Sequence, residues 1–330
     1  MKPFHAICLA FALSMIALLT ACGLPRLTPP PGAGAYTVID ATGTAVTISH
    51  KPRKILTGNL AYDTMVLGLT APDHLVAVNS LSHDPMMSFV AEETKDIHLV
   101  VRSSMEIPLE LVLKTQPDLI ITSSWMDKNT VDMLRGLGYP VVVCRGPNSI
   151  QDVRDAVRLI SQAIGEPERG EQLVARMDRE IGEAEAVLAG QTGPKPKGLL
   201  ISQMQSWGGK GSMFDDLMNH ARVTSSIADV GLRNGEPLTK ELILKADPDF
   251  FIVSADRPGD PIRGPKFRKE FFSDPALAGM RAIHSLRPIP DRYIYCASQN
   301  AGEAIKALAN AAYGPIFDLT GEKNLWWDGT

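Results

Sequence analysis

The sequence predicts an α/β protein built as two lobes of similar plan, each with a central and mostly parallel sheet, joined by one long helix. Three observations support this fold class. Apolar strand-like segments alternate with helix-like segments along both halves of the chain. Residues 166–190 carry apolar side chains at helical spacing. A pattern found before this helix also recurs after it.

The recurring pattern is LELVLKTQPDLII at residues 109–121 and KELILKADPDFFI at residues 240–252. Glu, Leu, Lys, Pro and Asp recur in register, 131 residues apart. Each copy has the pattern of a short helix, a Pro-Asp turn and an apolar strand. We interpret the repeat as the sign of two lobes with the same local architecture.

The long helix between the two copies has one apolar stripe and a charged opposite face. The stripe comprises Leu173, Val174, Met177, Ile181, Ala184 and Leu188. Pro167 is placed where the first turn of a helix tolerates proline, and Gly190 is placed where a C-cap belongs. Gly170 and Gly182 are the only residues that weaken this prediction.

The N-terminus has the features of a secretory signal peptide over residues 1–21. Its apolar run is too short for a comfortable membrane span. The ending Leu19-Thr20-Ala21-Cys22 resembles a bacterial lipobox, a resemblance that implies lipid on Cys22. The alternatives are an ordinary signal peptide and an anchor helix. Residues 22–35 are rich in Pro and Gly and are expected to form a flexible tether.

The first lobe is predicted to span residues 36–165 and to hold a Rossmann-like parallel sheet. A hairpin opens it, with a turn at Thr42-Gly43. The predicted strands cover residues 54–56, 74–78, 118–122 and 140–144. The predicted helices cover residues 61–69, 131–137 and 150–164, besides the repeated one.

The second lobe is predicted to span residues 191–330. Its predicted strands cover residues 198–202, 250–254 and 293–296, and its larger helices cover residues 213–221 and 304–312. Cys144 and Cys296 end apolar strands in different lobes, so we expect buried free thiols rather than a disulfide.

In parallel sheets, ligands bind beyond the carboxyl ends of the strands. The candidate ligand-binding residues at these ends are Asn59, Tyr62, Ser82, His83, Trp125 and Arg145 in the first lobe, and Trp207, Lys210, Arg257, Gln299 and Asn300 in the second. Serine and asparagine are also common in loops and helix caps. Large aromatics at strand ends either fill the core or face a ligand, and His83 is either a ligand or an ordinary satisfied histidine.

The loop Gly208-Gly209-Lys210-Gly211-Ser212 precedes a helix, and its backbone amides suit an anionic group. Its spacing matches neither of the common nucleotide-binding motifs. The sequence also contains no HExxH, GxSxG or CxxC motif. We therefore expect a binding protein without catalytic residues, cofactor or resident metal. The alternative is an exported enzyme that uses the inter-lobe cleft. A formal net charge of −4 argues against nucleic acid as a partner.

These features together resemble the substrate-binding proteins of ABC importers for ferric siderophores, haem and cobalamin. The resemblance covers nearly all of the mature chain. It rests on VIDATGTAVTI at residues 38–48, KPRKI at 51–55, the two repeat copies, and GKGS at 209–212 with the helix that follows. It implies two α/β lobes bridged by one long helix, with the ligand held between them. A stiff bridging helix predicts little closure, so we expect the pocket to be nearly pre-formed.

The resemblance also implies partners. Glu110 and Glu241 would dock onto arginines of the membrane permease, one from each lobe, unless they are merely surface charges. The protein would be an exported monomer, anchored to the membrane through Cys22.

For the ligand, the resemblance ranks an iron chelate or haem first and cobalamin close behind. Arg102, Arg145 and Arg257 are the candidates for an anionic siderophore, and Tyr62 or His83 for haem iron. Trp125, Trp207 and Tyr62 could contact cobalamin.

Overall fold

The computed structural model describes residues 34–202, 207–256 and 263–326. The predicted signal peptide, Cys22, nearly all of the tether and Arg257 therefore lie outside the described residues. Within them, two parallel sheets flanked by helices form the α/β architecture that the sequence predicts.

The N-terminal lobe is built on a five-stranded parallel sheet in the order β5-β4-β3-β6-β7. An antiparallel hairpin, β1 and β2, precedes it. The strands are β1 (Tyr36–Ile39), β2 (Ala45–Ile48), β3 (Ile55–Thr57), β4 (Leu75–Asn79), β5 (Val100–Val101), β6 (Leu119–Ser123) and β7 (Val141–Cys144). The helices are α1 (Leu60–Leu67), α2 (Ala91–Thr94), α3 (Leu109–Thr115), α4 (Lys128–Gly136) and α5 (Ile150–Ala163).

The long helix α6 (Pro167–Leu188) links the two lobes. Every apolar residue of its predicted stripe is buried, and α6 packs against α5 on one side and against the last helix of the chain on the other. Gly170 lies against Ser161 of α5, where an added methyl group would collide with the serine side chain. One of the two glycines that weakened the sequence prediction therefore lies where α5 and α6 approach each other closely.

The C-terminal lobe is built on a four-stranded parallel sheet in the order β11-β10-β8-β9. The strands are β8 (Lys197–Ile201), β9 (Thr224–Ser225), β10 (Phe250–Ser254) and β11 (Leu286–Ile289). The helices are α7 (Met213–His220), α8 (Ser226–Asp229), α9 (Lys240–Ala246), α10 (Arg263–Phe272), α11 (Asp291–Ile294) and α12 (Ala301–Tyr313).

The repeated segments occupy matching places in the two sheets. α3 leads into β6, and α9 leads into β10. Each helix ends on a left-handed residue, Gln116 with φ 47° and Asp247 with φ 37°. Asp118 then accepts a hydrogen bond from the amide of Lys54 at 2.9 Å, and Asp249 accepts one from Lys197 at 2.8 Å. The Pro-Asp turn thus ties each repeated helix to the first strand of its own sheet.

The predicted strand at residues 293–296 is wrong. The strand lies earlier in the chain, at β11 (Leu286–Ile289), and most of the predicted segment belongs to α11 (Asp291–Ile294) or directly follows it. β11 pairs with β10 alone, so it is an edge strand that tolerates Pro288. Tyr293, Ile294 and Cys296 are all buried, and a short buried apolar run is compatible with either a helix or a strand.

Three apolar clusters hold the molecule together. One joins the inner faces of both sheets to α6 and includes Ile55, Met177 and Ile252. The other two cover the outer faces of the two sheets, around Ile120 and Phe251 respectively. Neighbouring residues of a strand therefore enter different clusters, as side-chain alternation requires. None of the described helices combines the length and hydropathy needed to cross a membrane.

Candidate functional site

A cavity of about 560 Å³ lies between the two lobes. From the N-terminal lobe, residues that follow β3, β4, β6 and β7 line it, among them Asn59, Leu81, Trp125 and Asn148. From the C-terminal lobe, Trp207 follows β8, and residues 295–298 come shortly after β11. The cavity therefore lies where the carboxyl ends of both parallel sheets meet.

Four aromatic side chains dominate the wall: Phe89, Trp125, Trp207 and Tyr295. The rings of Trp207 and Tyr295 contact each other with centroids 6.0 Å apart, and the Tyr295 hydroxyl lies 2.8 Å from Ser202 Oγ. Trp125 stands on the opposite lobe, is 40% exposed and lies against the backbone of Gly146. Flat apolar surfaces thus face the cavity from both sides.

The polar groups of the wall are mainly amides and hydroxyls. Asn59 caps α1 by accepting a hydrogen bond from the amide of Ala61 at 2.8 Å, which fixes its side chain. Asn148 and Asn234 add two further amide side chains, and Ser88, Ser104 and Ser298 add hydroxyls. Among the described lining residues, Arg292 alone carries a charged side chain.

Of the sequence-predicted ligand residues, Asn59, Trp125 and Trp207 lie together in the cavity wall. Tyr62 does not: it is fully buried in the core, and its hydroxyl donates to the carbonyl of Arg145 at 3.1 Å. Of the two alternatives for an aromatic at a strand end, Tyr62 fills the core and Trp125 faces the cavity. Burial also raises the pKa of Tyr62 well above its usual value.

Ser82 and His83 also lie outside the cavity wall. Ser82 is fully buried and donates to Asp63 Oδ2 at 2.5 Å, while Thr57 donates to the other oxygen of this carboxyl. His83 Nε2 lies 3.0 Å from the carbonyl of Thr94. Both residues therefore stabilise the loop after β4, whose Leu81 reaches the cavity.

The loop after β4 is anchored on the buried carboxyl of Asp63, a residue of α1. Besides the two hydroxyls, its carboxyl accepts the amide of Asn79 at 2.7 Å. Burial raises the pKa of Asp63 to about 7, although the three hydrogen bonds oppose the shift. Removal from water is the larger effect because a charged carboxylate is strongly destabilised in an apolar interior.

Gln299 and Asn300 lie outside the described cavity wall and form hydrogen bonds that join separate segments of the chain. Gln299 is fully buried, and its Nε2 donates to Thr64 O at 2.7 Å in the other lobe. Asn300 donates to the carbonyl of Lys323 at 3.3 Å. Arg145 and Lys210, like the siderophore candidate Arg102, are exposed and lie outside the described cavity wall.

Sequence reasoning missed several wall residues, among them the amides Asn148 and Asn234, the aromatics Phe89 and Tyr295, and Arg292. Phe89 lies in a stretch without helical or strand periodicity. Arg292 and Tyr295 adjoin or belong to the run that was assigned to a strand. A search for aromatics near the C-terminal strand ends would have found Tyr295 if β11 had been placed correctly.

Glu110 and Glu241 are exposed in the first turns of α3 and α9, at matching positions of the two lobes. Each is followed one turn later by an exposed leucine, Leu113 at 55% and Leu244 at 44%. The repeat therefore presents the same acidic and apolar pair on the outer surface of each lobe.

Cys144 and Cys296 are buried free thiols, as the sequence predicts. Burial raises the pKa of both, that of Cys296 to about 11. Cys296 reaches the cavity wall in its protonated form.

Comparison with known proteins places this architecture among binding proteins. Residues 55–287 match the sequence profile of a family described as "Periplasmic binding protein". The substrate-binding lipoprotein YvrC of Bacillus subtilis, an uncharacterised ABC transporter component, is 22% identical over 66% of this chain and 68% of its own length. A cobalamin-binding protein of Halobacterium salinarum is 24% identical over 72% of this chain, a match that spans 61% of that protein.

Among solved structures, the periplasmic heme-binding protein RhuT from Roseiflexus superposes with a TM-score of 0.67 at 24% identity. The superposition covers 79% of this chain and 99% of that protein. This likeness establishes the shared fold.

Proposed function

The chain belongs to the periplasmic binding protein family, and we propose that it is the solute-binding protein of an ABC importer that carries a corrinoid between its two lobes. The observation that carries the proposal is the inter-lobe cavity at the carboxyl ends of both sheets. Its walls are aromatic on both sides, which suits the flat ring of a large ligand. Family membership favours binding and transport over the alternative of a cleft enzyme.

The polar part of the wall supports a corrinoid over the other two ligand classes. A corrin ring carries neutral carboxamide arms, which pair well with the amides of Asn59, Asn148 and Asn234. A haem carries carboxylates, and a carboxylate siderophore carries more, so both call for cationic side chains. The charged wall residue Arg292 is already bonded to protein groups. The cobalamin-binding relative supports the same choice.

Binding titrations test this proposal directly. The purified protein is titrated with hydroxocobalamin, haemin and a ferric tricarboxylate siderophore, and tryptophan fluorescence is followed, because Trp125 and Trp207 lie in the wall. We expect saturable quenching by hydroxocobalamin with one ligand per chain. Trp125→Ala and Trp207→Ala should each weaken binding. Saturable binding of haemin or the siderophore, but not of hydroxocobalamin, would overturn the corrinoid assignment.

For the permease, we propose that Glu110 with Leu113 and Glu241 with Leu244 form two equivalent docking points. Exposed carboxylates guide association and orientation, and the leucines supply apolar area at the contact. A partner made of two related membrane subunits would meet one docking point with each subunit.

The docking proposal predicts that Glu110→Ala combined with Glu241→Ala abolishes uptake in cells but leaves ligand affinity unchanged. Glu92→Ala with Glu183→Ala removes two exposed glutamates elsewhere and serves as the matched control. Normal uptake by the docking variant would contradict the proposal.

We also propose that the protein acts outside the cytoplasm and is held at the membrane by lipid on Cys22. Family membership and the lipoprotein relative support the location. The mass of the mature protein tests the anchor: we expect a diacylated Cys22 at the N-terminus, and an unmodified mass would exclude it. The lobe boundaries at residues 165 and 191, and the monomeric state, stay predictions.

A further inference from the structure

Arg292 of α11 reaches from the C-terminal lobe to the N-terminal lobe. Its backbone amide donates to Met86 O at 2.7 Å, and its Nη1 donates to Pro85 O at 2.8 Å. Pro85 and Met86 lie in the segment after β4, in the N-terminal lobe. One residue therefore makes a main-chain bond and a side-chain bond to consecutive carbonyls of the opposite lobe.

The guanidinium group also lies over two aromatic rings, one from each lobe. Its Cζ lies 5.7 Å from the ring centroid of Phe89 and 4.8 Å from that of Tyr293. The two rings contact each other edge to face, with centroids 5.6 Å apart. A planar cation over aromatic faces is attracted by both rings, so this group of three side chains draws the two lobes together.

The other end of the guanidinium is fixed within its own lobe. Nη2 donates to the Tyr293 hydroxyl at 2.9 Å, and Glu322 lies 3.9 Å away with only 6% of its side chain exposed. Tyr293 in turn donates to Glu322. The C-terminal segment that carries Glu322 thus orients Arg292 toward the N-terminal lobe. Burial, with a hydrogen bond to Glu303, raises the pKa of Glu322 to about 8, so near neutral pH this residue acts on Arg292 mainly through hydrogen bonding by way of Tyr293.

Arg292 and Phe89 both line the inter-lobe cavity. We propose that Arg292 is a positioning residue that fixes the spacing of the two lobes and thereby the width of the ligand cavity. Its effect on lobe spacing is independent of which ligand binds, whereas its effect on affinity rests on the proposed function.

Different substitutions of Arg292 separate the contribution of its main-chain bond from those of its charge and of its planar guanidinium group. Arg292→Gln keeps the main-chain bond to Met86 but removes the contacts of the guanidinium group with the two rings and with Pro85 O. Arg292→Lys keeps the charge, but a lysine cannot bond Pro85 O and the Tyr293 hydroxyl in one plane. Arg287→Gln is the matched control, since Arg287 is an exposed arginine of β11 whose bonds stay within the C-terminal lobe.

The primary measurement is the distance between the lobes in the unliganded protein. Spin labels are placed at Lys114→Cys and Lys245→Cys, exposed and equivalent positions of α3 and α9, and their separation is read by double electron–electron resonance. Cys144 and Cys296 are buried, so brief labelling at neutral pH reaches the introduced cysteines first. Cys8 and Cys22 lie outside the described residues and are replaced by serine in the labelled protein. We expect Arg292→Gln to broaden the distance distribution, Arg292→Lys to broaden it less, and Arg287→Gln to leave it unchanged.

The second measurement is the dissociation rate of hydroxocobalamin, which we expect to rise about tenfold in Arg292→Gln. If Arg292→Gln does not fold, Phe89→Leu tests the same contact from the N-terminal lobe. An unchanged distance distribution overturns the proposal, even if affinity falls, because Arg292 would then act only as a ligand contact. A broadened distribution in a protein whose wild type binds no corrinoid would sustain the positioning role and refute the proposed ligand.

Discussion

Gly146→Ala is expected to weaken ligand binding without touching the ligand. A methyl group added at Gly146 would lie 2.3 Å from Cε2 of Trp125, whereas ordinary contact begins at 3.4 Å. The Gly146 backbone is not in the left-handed region, so alanine itself is tolerated there. The indole must therefore retreat by about 1 Å to restore normal carbon–carbon separation. Trp125 is 40% exposed and free to move in this way.

The expected loss of binding free energy depends on how much of the contact between Trp125 and the ligand is lost. Complete removal of a well-packed tryptophan from a binding site commonly costs about 2 kcal/mol or more. A displaced ring keeps part of its contact, so we expect a loss of about 1 kcal/mol, or about fivefold in Kd. The free energy of unfolding should change little, because the ring moves toward solvent.

The assay is a fluorescence titration with hydroxocobalamin, paired with urea denaturation. Gly136→Ala is the matched control, since an added methyl at this glycine of α4 meets no atom within 4 Å. This control should bind normally and be equally or slightly more stable. Wild-type affinity in Gly146→Ala would refute the placement of Trp125 in the binding wall. Normal affinity in Trp125→Ala would refute it independently.

Three further predictions concern stability and reactivity. Because burial raises the pKa of Asp63 to about 7, the folded state binds a proton that the unfolded state releases at a lower pH. Relative to Asp63→Asn, the free energy of unfolding should fall by about 1.4 kcal/mol per unit as pH rises from about 4 to about 7; parallel urea-denaturation profiles would contradict this. Gly170→Ala should destabilise the protein by about 1–3 kcal/mol through the clash with Ser161, and Ser161→Gly should restore part of the loss in the double variant. Cys144 and Cys296 should react with a maleimide at pH 7 only after unfolding, and rapid modification of the native protein would show that they are accessible.

The fold was largely predictable because its signals are local or repeated. The period of apolar residues predicts α6, and the duplicated segment predicts two sheets with the same local plan, both of which the structure contains. The duplication is retained in the structure down to the bonds of Asp118 and Asp249 with the first strand of each sheet. The misassigned strand at residues 293–296 carried no such signal, because its apolar residues are buried in either conformation.

The candidate site was predictable only as a region. The rule that ligands bind at strand ends selected Asn59, Trp125 and Trp207, which do line the cavity. The same rule selected Tyr62 and Ser82, which point into the core. Which way a side chain turns at a strand end depends on packing partners distant in sequence, such as the carbonyl of Arg145 for Tyr62. A single sequence does not reveal such partners.

The contacts between the lobes argue for a cavity that is formed before the ligand arrives. Besides Arg292, the buried amide of Gln299 bonds Thr64 O at 2.7 Å, and Asp216 of α7 accepts the amide of Ile150 at 2.7 Å. These bonds involve different helices of the two lobes, and α6 itself shares one apolar cluster with both sheets. A large closure would break them together and would shear that cluster, whereas side-chain adjustments in the wall break none. Binding therefore requires rotation of rings such as Trp125 more than movement of lobes.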